Sequence, residues 1–327
     1  MTTIRDVAKK ANVSVATVSR VLNENGYVNE DTRKRVQEVI QELNYKPNAV
    51  ARSLFKKESK TIGFIVPDIT NPFFPALVRS VEDYINQKGF TIILSNSDEN
   101  PEKEKHYLDI MKQKYVDGVI MVTNTLDHEQ ISTYSMPIVL LDRPIHADVP
   151  SVFVDNRLGG RLATEHLLKQ GCQRIAHIKG PEKVINADDR YQGYLDVVGK
   201  LPWFSKQYIV SGNYDKNTAM EVTKKLLQNH PEIDGIFAGN DMMALGVLKA
   251  AEQLGIKVPE QLAIIGFDDI DLTEMTSPEL SSVAQPVYEV GKKAAEMLIH
   301  LIEGKNLEKK QYIFDVELME RKSSKRL

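Results

Sequence analysis

Arg20 stands one helical turn beyond Val15 and Ala16 in the stretch TIRDVAKKANVSVATVSRVLN, residues 3–23. A guanidinium can contact guanine through O6 and N7 together, and small apolar side chains such as Val15 and Ala16 can touch thymine methyl groups. Thr2, Thr3, Thr17 and Ser19 carry hydroxyls suited to phosphate oxygens. A second set of residues carries a different chemistry: Asn71, Asp142, Arg143, Arg190, Asn240, Asp268 and Gln285, with Phe73 and Phe74 close behind Asn71. Carboxylates, amides and guanidiniums bind vicinal hydroxyls in pairs. Aromatic rings stack on the apolar C–H faces of a sugar ring. The first set fits a DNA major groove, and the second fits a sugar.

The elements around the first set read as helix, turn, helix. Thr3 can cap a first helix, with Asp6 three residues on completing a capping box. Val7, Ala8 and Ala11 give that helix one apolar face. Asn12 falls in the turn, where a left-handed residue is tolerated. Ser14 can cap the second helix, whose Val18 and Val21 turn back to the first while Val15, Ala16, Thr17 and Arg20 face outward. This is the arrangement whose second helix enters the major groove. A third helix follows over about 30–43, with Val36, Val39, Ile40 and Leu43 on one stripe. Asn48 can cap a short helix from Ala49 to Leu54, and 56–60 reads as a polar linker.

From Thr61 onward strands alternate with helices. IGFIV (62–66) is a continuous apolar run, as expected of a strand buried on both faces. Strands are expected at TIILS, GVIMV, IVLLD, VFVD, IAHIK, YIV, GIFAG, AIIGF and YIFDVEL. Helices are expected near 76–89, 102–113, 161–171, 188–199, 216–229, 242–254 and 288–303. Such alternation means parallel sheets with helices on both sides, and two successive series imply two lobes with a cleft. Ligands of parallel sheets bind beyond the carboxyl ends of the strands, where Asn71, Asp142, Arg143, Asn240 and Asp268 follow their strands. Asp241 and Asp269 read as helix caps.

The chain of 327 residues holds one cysteine, Cys172, which rules out an internal disulfide, fits a reducing cytosol and reads as a buried small hydrophobe. No apolar run reaches the ~18 residues of a membrane span, and the N-terminus lacks a secretory h-region. Residues 1–60 hold 12 Lys and Arg against 7 Asp and Glu, while the rest hold 30 against 38. A basic head on an acidic body fits phosphate binding by the head alone. Gly159–Gly160 lacks the spacing of a dinucleotide loop, and no Walker sequence appears. The seven histidines show no metal-ligand spacing, and no nucleophile–base pair stands out. No cofactor and no enzymatic activity are expected.

The whole chain resembles the lac repressor family of bacterial transcription regulators. IRDVAKKANVSVATVSRVLN looks like the family's head, NYKPNAVARSL its hinge, and IGFIVPDITNPFF the first strand and loop of its sugar-binding core. LDRP, the Arg190–Gly193 spacing, GNDMMALGVL, IIGFDD and LSSVAQP recur in family order. DITNPFFPALVRSVED together with LDRP most resembles the ribose-operon branch. The implied fold is an all-α helix-turn-helix head plus an α/β periplasmic-binding-protein-like core of two doubly wound parallel-sheet lobes. The expected extents are 1–46 for the head, 47–60 for hinge and linker, and 61–327 for the core. Within the core, one lobe takes 61–158 and 288–312, and the other 159–286 and 313–327.

The resemblance implies that Val15, Ala16 and Arg20 set operator specificity. It also implies that two hinge helices, one per subunit of a dimer, fold together on DNA and insert paired Leu54 side chains, as minor-groove wedges do. Ala51 is small enough to approach the groove, and Arg52 can pair with phosphate. A two-fold dimer then reads a near-palindromic operator. Tyr214 matches a further aromatic position of the sugar site, beside Asn71, Phe73, Phe74, Asp142, Arg143, Arg190, Asn240, Asp268 and Gln285. The effector is expected to be a sugar, ribose above all, that releases the protein from DNA in the cytoplasm. Two alternatives are the same class of regulator answering to another sugar or to a protein corepressor, and a sugar enzyme or transport component with an incidental helical head. The second would need a catalytic pair, a phosphate loop or a signal peptide.

Overall fold

The computed structural model describes residues 2–45, 58–123, 125–144 and 146–326. These form two compact units, 1–59 and 60–327. In the first, α1 (Ile4–Lys10), α2 (Val15–Asn23) and α3 (Glu30–Glu42) surround a small core of Val7, Ala8, Ala11, Val18, Val21, Val36 and Val39. The expected capping box is present: the Asp6 amide donates to Thr3 Oγ1 at 3.3 Å, and the Thr3 amide donates to Asp6 Oδ2 at 2.8 Å. Asn12 takes φ +52° in the turn, and Ser14 caps α2 by accepting from the Thr17 amide at 3.1 Å.

The second unit holds two six-stranded sheets. One is built from β1 (Thr61–Val66), β2 (Thr91–Asn96), β3 (Gly118–Met121), β4 (Ile138–Leu141), β5 (Ser151–Val154) and β11 (Gln311–Phe314). Its order is β11-β5-β4-β3-β1-β2, parallel throughout. The other is built from β6 (Ile175–Lys179), β7 (Ile209–Ser211), β8 (Gly235–Ala238), β9 (Ala263–Asp268), β10 (Ser281–Ala284) and β12 (Glu317–Met319). Its order is β12-β10-β9-β8-β6-β7, with only the β10–β12 pair antiparallel. The fold class expected from the sequence is borne out.

Helices α4 (Phe73–Asn86), α5 (Pro101–Gln113), α6 (His128–Ser132), α7 (Asn156–Lys169), α8 (Ile185–Val198), α9 (Lys216–Asn229), α10 (Asp241–Leu254) and α11 (Val287–Ile302) connect the strands. The central strands are buried on both faces; Ile62, Phe64 and Ile65 of β1 are fully buried, each stabilising by roughly 1.5–3 kcal/mol.

The structure departs from expectation in three places. First, YIFDVEL is two strands rather than one. β11 runs parallel to β5 in the first sheet, and β12 runs antiparallel to β10 in the second, with Asp315 and Val316 passing between. The expected lobe boundary after 312 therefore falls inside β11, and Ile313 and Phe314 pair with Phe153 and Val154 of the first sheet. Second, LSSVAQP, to which the sequence reading assigned no strand, contains β10. Third, α7 starts five residues early, because the Asp155 carboxylate accepts from the Leu158 amide at 2.8 Å and carries the helix through Gly159 and Gly160.

That glycine pair has a packing reason. A Cβ on Gly160 would lie 2.2 Å from the Arg190 carbonyl oxygen, and one on Gly193 would lie 2.2 Å from the Arg157 carbonyl oxygen. The backbones of α7 and α8 thus touch at reciprocal glycines. The Arg190–Gly193 spacing carries a physical meaning: Gly193 allows the contact, and Arg190, one turn earlier, is held at its depth by it.

Candidate functional site

On the head, the outward set of α2 is present as expected. Val15 is 41 % exposed, and Ala16 and Arg20 are also exposed, while Thr17 is half-buried. The stem of Arg20 lies along the turn after α2, where a Cβ on Gly26 (φ +86°) would meet its Cδ at 3.6 Å. Thr3 is less free than the sequence suggests, since its hydroxyl donates to Asp6 Oδ2 at 2.7 Å while serving as the cap. Thr17 Oγ1 lies 2.9 Å from Ser14 Oγ. Asn48, Ala51, Arg52 and Leu54 lie outside the described residues.

In the second unit a cavity of about 420 Å³ opens at the carboxyl ends of the strands. Asn71, Phe73, Phe74, Asp142, Arg143, Arg190, Tyr214, Asn240 and Asp268 all line it. Gln285 does not. It reaches the site through Asp268, whose Oδ1 accepts from Gln285 Nε2 at 2.8 Å.

Arg190 is 2 % exposed and clamped from several sides. Its Nε donates to Asn156 Oδ1 at 2.8 Å and its Nη1 to the Gly239 carbonyl at 2.6 Å. Nη1 also lies 3.3 Å from Asp268 Oδ1, and the guanidinium carbon stands 3.6 Å from the centre of the Phe267 ring. Opposite, Tyr214 donates its hydroxyl proton to Asn186 Oδ1 at 3.1 Å, and Asn186 Nδ2 donates to Asp142 Oδ2 at 2.9 Å. Arg143 Nη2 meets Glu99 Oε1 at 3.0 Å. Phe73 and Phe74 stand edge to face at 5.3 Å, both almost fully buried. They belong to the core of the first lobe and to the cavity wall alike.

The other oxygen of Asp142, Oδ1, is buried with no hydrogen-bond partner among the described residues. Leaving such an acceptor unsatisfied costs about 1–3 kcal/mol, and a ligand hydroxyl donating to it would remove that cost. Burial pushes the Asp142 carboxyl above its ordinary range, against the pull of Arg143 and Arg190. Asp268 is pushed up to about 6, chiefly by burial and further by Asp142, although Arg190 and Gln285 pull the other way. Burial alone would lower Arg190; its electrostatic interactions with Tyr214, Asp268 and Asp142 outweigh it, and its guanidinium is held above the usual range. Burial also raises Tyr214, which stays a neutral hydrogen-bond donor.

The cavity rim is built from unusual backbone. Of the thirteen non-glycine residues with positive φ among those described, Asp98, Glu99, Asp142, Asn213, Tyr214 and Asp268 line the cavity. Left-handed conformations at non-glycine residues cluster at ligand sites because the surroundings must impose them, at roughly 1–3 kcal/mol each.

Two readings of caps are corrected. Asn240, not Asp241, caps α10, with its Oδ1 accepting from the Met243 amide at 2.9 Å. Its side-chain NH2 is left for the cavity. Asp241 instead ties two strand ends, accepting from Ser282 Oγ at 2.7 Å and from the Ile270 amide at 2.9 Å. Asp269 does not cap a helix; it pairs with Arg321. The sequence reading missed Asp68, Asp98, Glu99, Asn186, Asn213 and Asp215 of the cavity wall. Asp98 and Glu99 could have been suspected, since they follow β2 directly. Asn186 carries no local signal.

The comparisons with known proteins agree with this architecture. Residues 3–48 match the family model of bacterial regulatory proteins of the lacI family, and 59–322 match that of periplasmic binding proteins and the sugar-binding domain of the LacI family. The chain is 49 % identical to the ribose operon repressor of Halalkalibacterium halodurans, over 99 % of this chain and 98 % of that one. The structure of a Lac repressor dimer bound to operator and the anti-inducer ONPF is similar at a TM-score of 0.87 and 27 % identity, covering 99 % of both chains. A periplasmic binding protein/LacI transcriptional regulator from Alkaliphilus metalliredigens complexed with D-xylulofuranose is similar at a TM-score of 0.74 and 32 % identity, over 81 % of this chain and 99 % of that one. This chain belongs to the LacI family of bacterial regulatory proteins.

Proposed function

We propose that the protein is a DNA-binding transcriptional repressor of a sugar-utilisation operon that answers to D-ribose. The ribose assignment draws on the 49 % identity to a ribose operon repressor over the full chain. The single observation that carries the ligand class is the unpartnered, buried Oδ1 of Asp142 inside a cavity of about 420 Å³, a size within the ~300–1,000 Å³ usual for small-molecule sites. Six carboxylates and two guanidiniums line that cavity, a balance that favours an uncharged polyol over a phosphorylated one. Asp142, Arg143, Arg190, Asn240 and Asp268 bond the hydroxyls, Phe73 and Phe74 face the ring, Asn71 and Tyr214 close the site, and Gln285 acts through Asp268.

In this reading the chain acts by binding, in the cytoplasm, and catalyses no reaction. A homodimer lays Val15, Ala16 and Arg20 of each α2 in the major groove of a half-site, with Thr3 and Thr17 near phosphate. Asn48, Ala51, Arg52 and Leu54 form the hinge that kinks the operator centre. Ribose draws the two lobes of 61–327 together and withdraws the conditions under which the hinges pair. That shift requires the ligand to bind the two states unequally.

The test is calorimetry with D-ribose beside D-fructose, D-glucose and D-ribose 5-phosphate, followed by operator gel shifts in the presence of any binder. Micromolar binding of ribose alone, with release of DNA, is the expected result. Binding of ribose 5-phosphate in preference to ribose would overturn the charge argument, and binding of none would overturn the ribose assignment.

A further inference from the structure

We propose that Arg321, near the end of the chain and outside the cavity wall, is a positioning residue for the effector site: it holds the Asp268–Asp269 turn in the conformation that aims the Asp268 carboxylate into the cavity. The proposal rests on the reading of that cavity as a ligand site.

The turn needs a holder. Asp268 has φ +106° and Asp269 φ +57°, two successive non-glycine residues in the left-handed half of backbone space. Such a pair persists only where its surroundings impose it. Arg321 grips Asp269 with its fork: Nη1 donates to Oδ1 at 2.5 Å, and Nη2 lies 3.3 Å from Oδ2. The same guanidinium donates to the Leu280 carbonyl at 3.0 Å, just before β10. Arg321 is itself anchored to that strand, its amide donating to Ser281 Oγ at 2.8 Å. A planar guanidinium that satisfies a carboxylate and a strand carbonyl together fixes an angle as well as a distance.

The other side of the turn is held from within. The Asp269 amide donates to Ser282 Oγ at 3.1 Å, Ser282 Oγ donates to Asp241 Oδ1 at 2.7 Å, and Asp241 Oδ2 accepts from the Ile270 amide at 2.9 Å. Asp241 can sit there because β9 has glycine at 266: a Cβ would lie 2.1 Å from Asp241 Oδ1. With its backbone held on both sides, Asp268 keeps one oxygen between Gln285 and Arg190. None of Arg321, Ser282 or Asp241 lines the cavity. Their influence on a ligand runs through Asp268.

Residues in one network are non-additive when mutated, whereas independent sites add. D-Ribose is titrated calorimetrically into wild type, Arg321→Ala, Asp268→Asn and the double variant. Amide hydrogen exchange of 267–271 is followed in each ligand-free protein. Arg321→Ala is expected to weaken ribose binding at least tenfold and to speed exchange of the Asp269 and Ile270 amides at least tenfold. The double variant is expected to bind no more weakly than Asp268→Asn. Arg321→Lys, which keeps the charge and most of the stem but lacks the fork, is expected to fall between wild type and Arg321→Ala in exchange and affinity. Additive losses in the double variant would overturn the proposal, as would wild-type ribose affinity in Arg321→Ala. If wild type does not bind ribose, the ribose reading fails on its own, and the exchange data still decide. Unchanged protection at Asp269 and Ile270 in Arg321→Ala overturns the positioning role; lost protection upholds it.

Discussion

Asn186 and Asp142 join the two lobes across the cavity: Asn186 Nδ2, in the first turn of α8 beside the second sheet, donates at 2.9 Å to Asp142 Oδ2, just past β4 of the first. Tyr214 extends the link by donating to the Asn186 carbonyl oxygen. A ligand between the lobes therefore meets a carboxylate with one oxygen already engaged and the other open. Asn186→Ala removes the bridge and takes the Asn186 hydrogen bond from Asp142, whose Oδ2 keeps only the ion pair with Arg143 Nε at 3.7 Å. Loss of about 1–3 kcal/mol, a roughly five- to hundredfold weaker ribose affinity, is expected by calorimetry. An unchanged dissociation constant would take Asn186 out of the site.

Arg190→Ala strips the cavity of its most deeply clamped cation. It leaves Asp268 without an ion-pair partner and the Gly239 carbonyl without its donor. Breaking a buried pair costs about 3–5 kcal/mol. The melting temperature of the core should fall by several degrees, ribose binding should vanish, and operator binding should persist. Retained ribose affinity would sink the role assigned to Arg190.

The α7–α8 contact makes a sharper test of how Arg190 is placed. Gly193→Ala puts a methyl where the Arg157 carbonyl oxygen now stands, against backbone that cannot swing aside. Overpacking of this kind costs about 1–3 kcal/mol or more. The helices must part, and ribose affinity should drop although residue 193 does not line the cavity. Gly171→Ala is a contrast with a different cause, since nothing lies within 4 Å of its Cβ and only its φ of +87° resists substitution; it should lower stability while leaving ribose affinity alone.

Asp268 gives the core a dependence on pH of known sign. Its folded pKa is raised from 3.8 to about 6, so the folded protein binds this proton more tightly than the unfolded chain. The stability linked to it is fully present below about 4 and is lost as pH rises through about 6. Wild type should therefore lose ground to Asp268→Asn between pH 4 and 6.5, on the order of 1–3 kcal/mol, with little further change above 7. Asp142 and Asp241 are also raised by burial, and the Asp268 charge adds to the rise at Asp241, so the variant carries a smaller shift there and the difference keeps the same sign. Chemical denaturation of the pair at four or five pH values reads the difference, and a difference that grows toward high pH in favour of wild type contradicts the assignment.

Leu54→Ala addresses the proposed hinge. Operator affinity should fall at least tenfold in gel shifts while ribose affinity stays unchanged. Loss of both would show that Leu54 serves the core rather than the DNA.

Much of this was legible in the chain because the signals were local. Thr3 and Asp6 announce a capping box whatever lies around them, and IGFIV announces a strand buried on both faces. What escaped depends on contacts distant in sequence. YIFDVEL reads as one strand because nothing in seven residues says that its halves belong to different sheets. Gly159 and Gly160 carry no packing signal in the sequence because what they touch is distant: Gly159 faces the Phe267 ring, and Gly160 faces the backbone of Arg190, thirty residues away. Nine of the ten residues proposed for the ligand line the cavity. Asn71, Asp142, Arg143, Tyr214, Asn240 and Asp268 lie at or just after strand ends, where the topology of parallel sheets concentrates function, while Phe73, Phe74 and Arg190 lie in helices. Asn186 and Arg321 belong to no motif legible in the sequence, and only the hydrogen bonds reveal them.

The division of YIFDVEL also governs how the molecule is made. Domains form in order as a chain emerges from the ribosome, and the small helical head needs nothing beyond its own residues. The two lobes differ. One sheet waits for β11 to pair with β5, and the other waits for β12 to pair with β10, so the edges of β5 and β10 stay bare until residues 311–319 are synthesised. Bare edges invite pairing with other chains. A transcript cut short before Gln311 would therefore yield a folded head, able to compete for operator half-sites, on a core unfinished in both lobes at once. Such a fragment would be a repressor's rival that no sugar could dislodge.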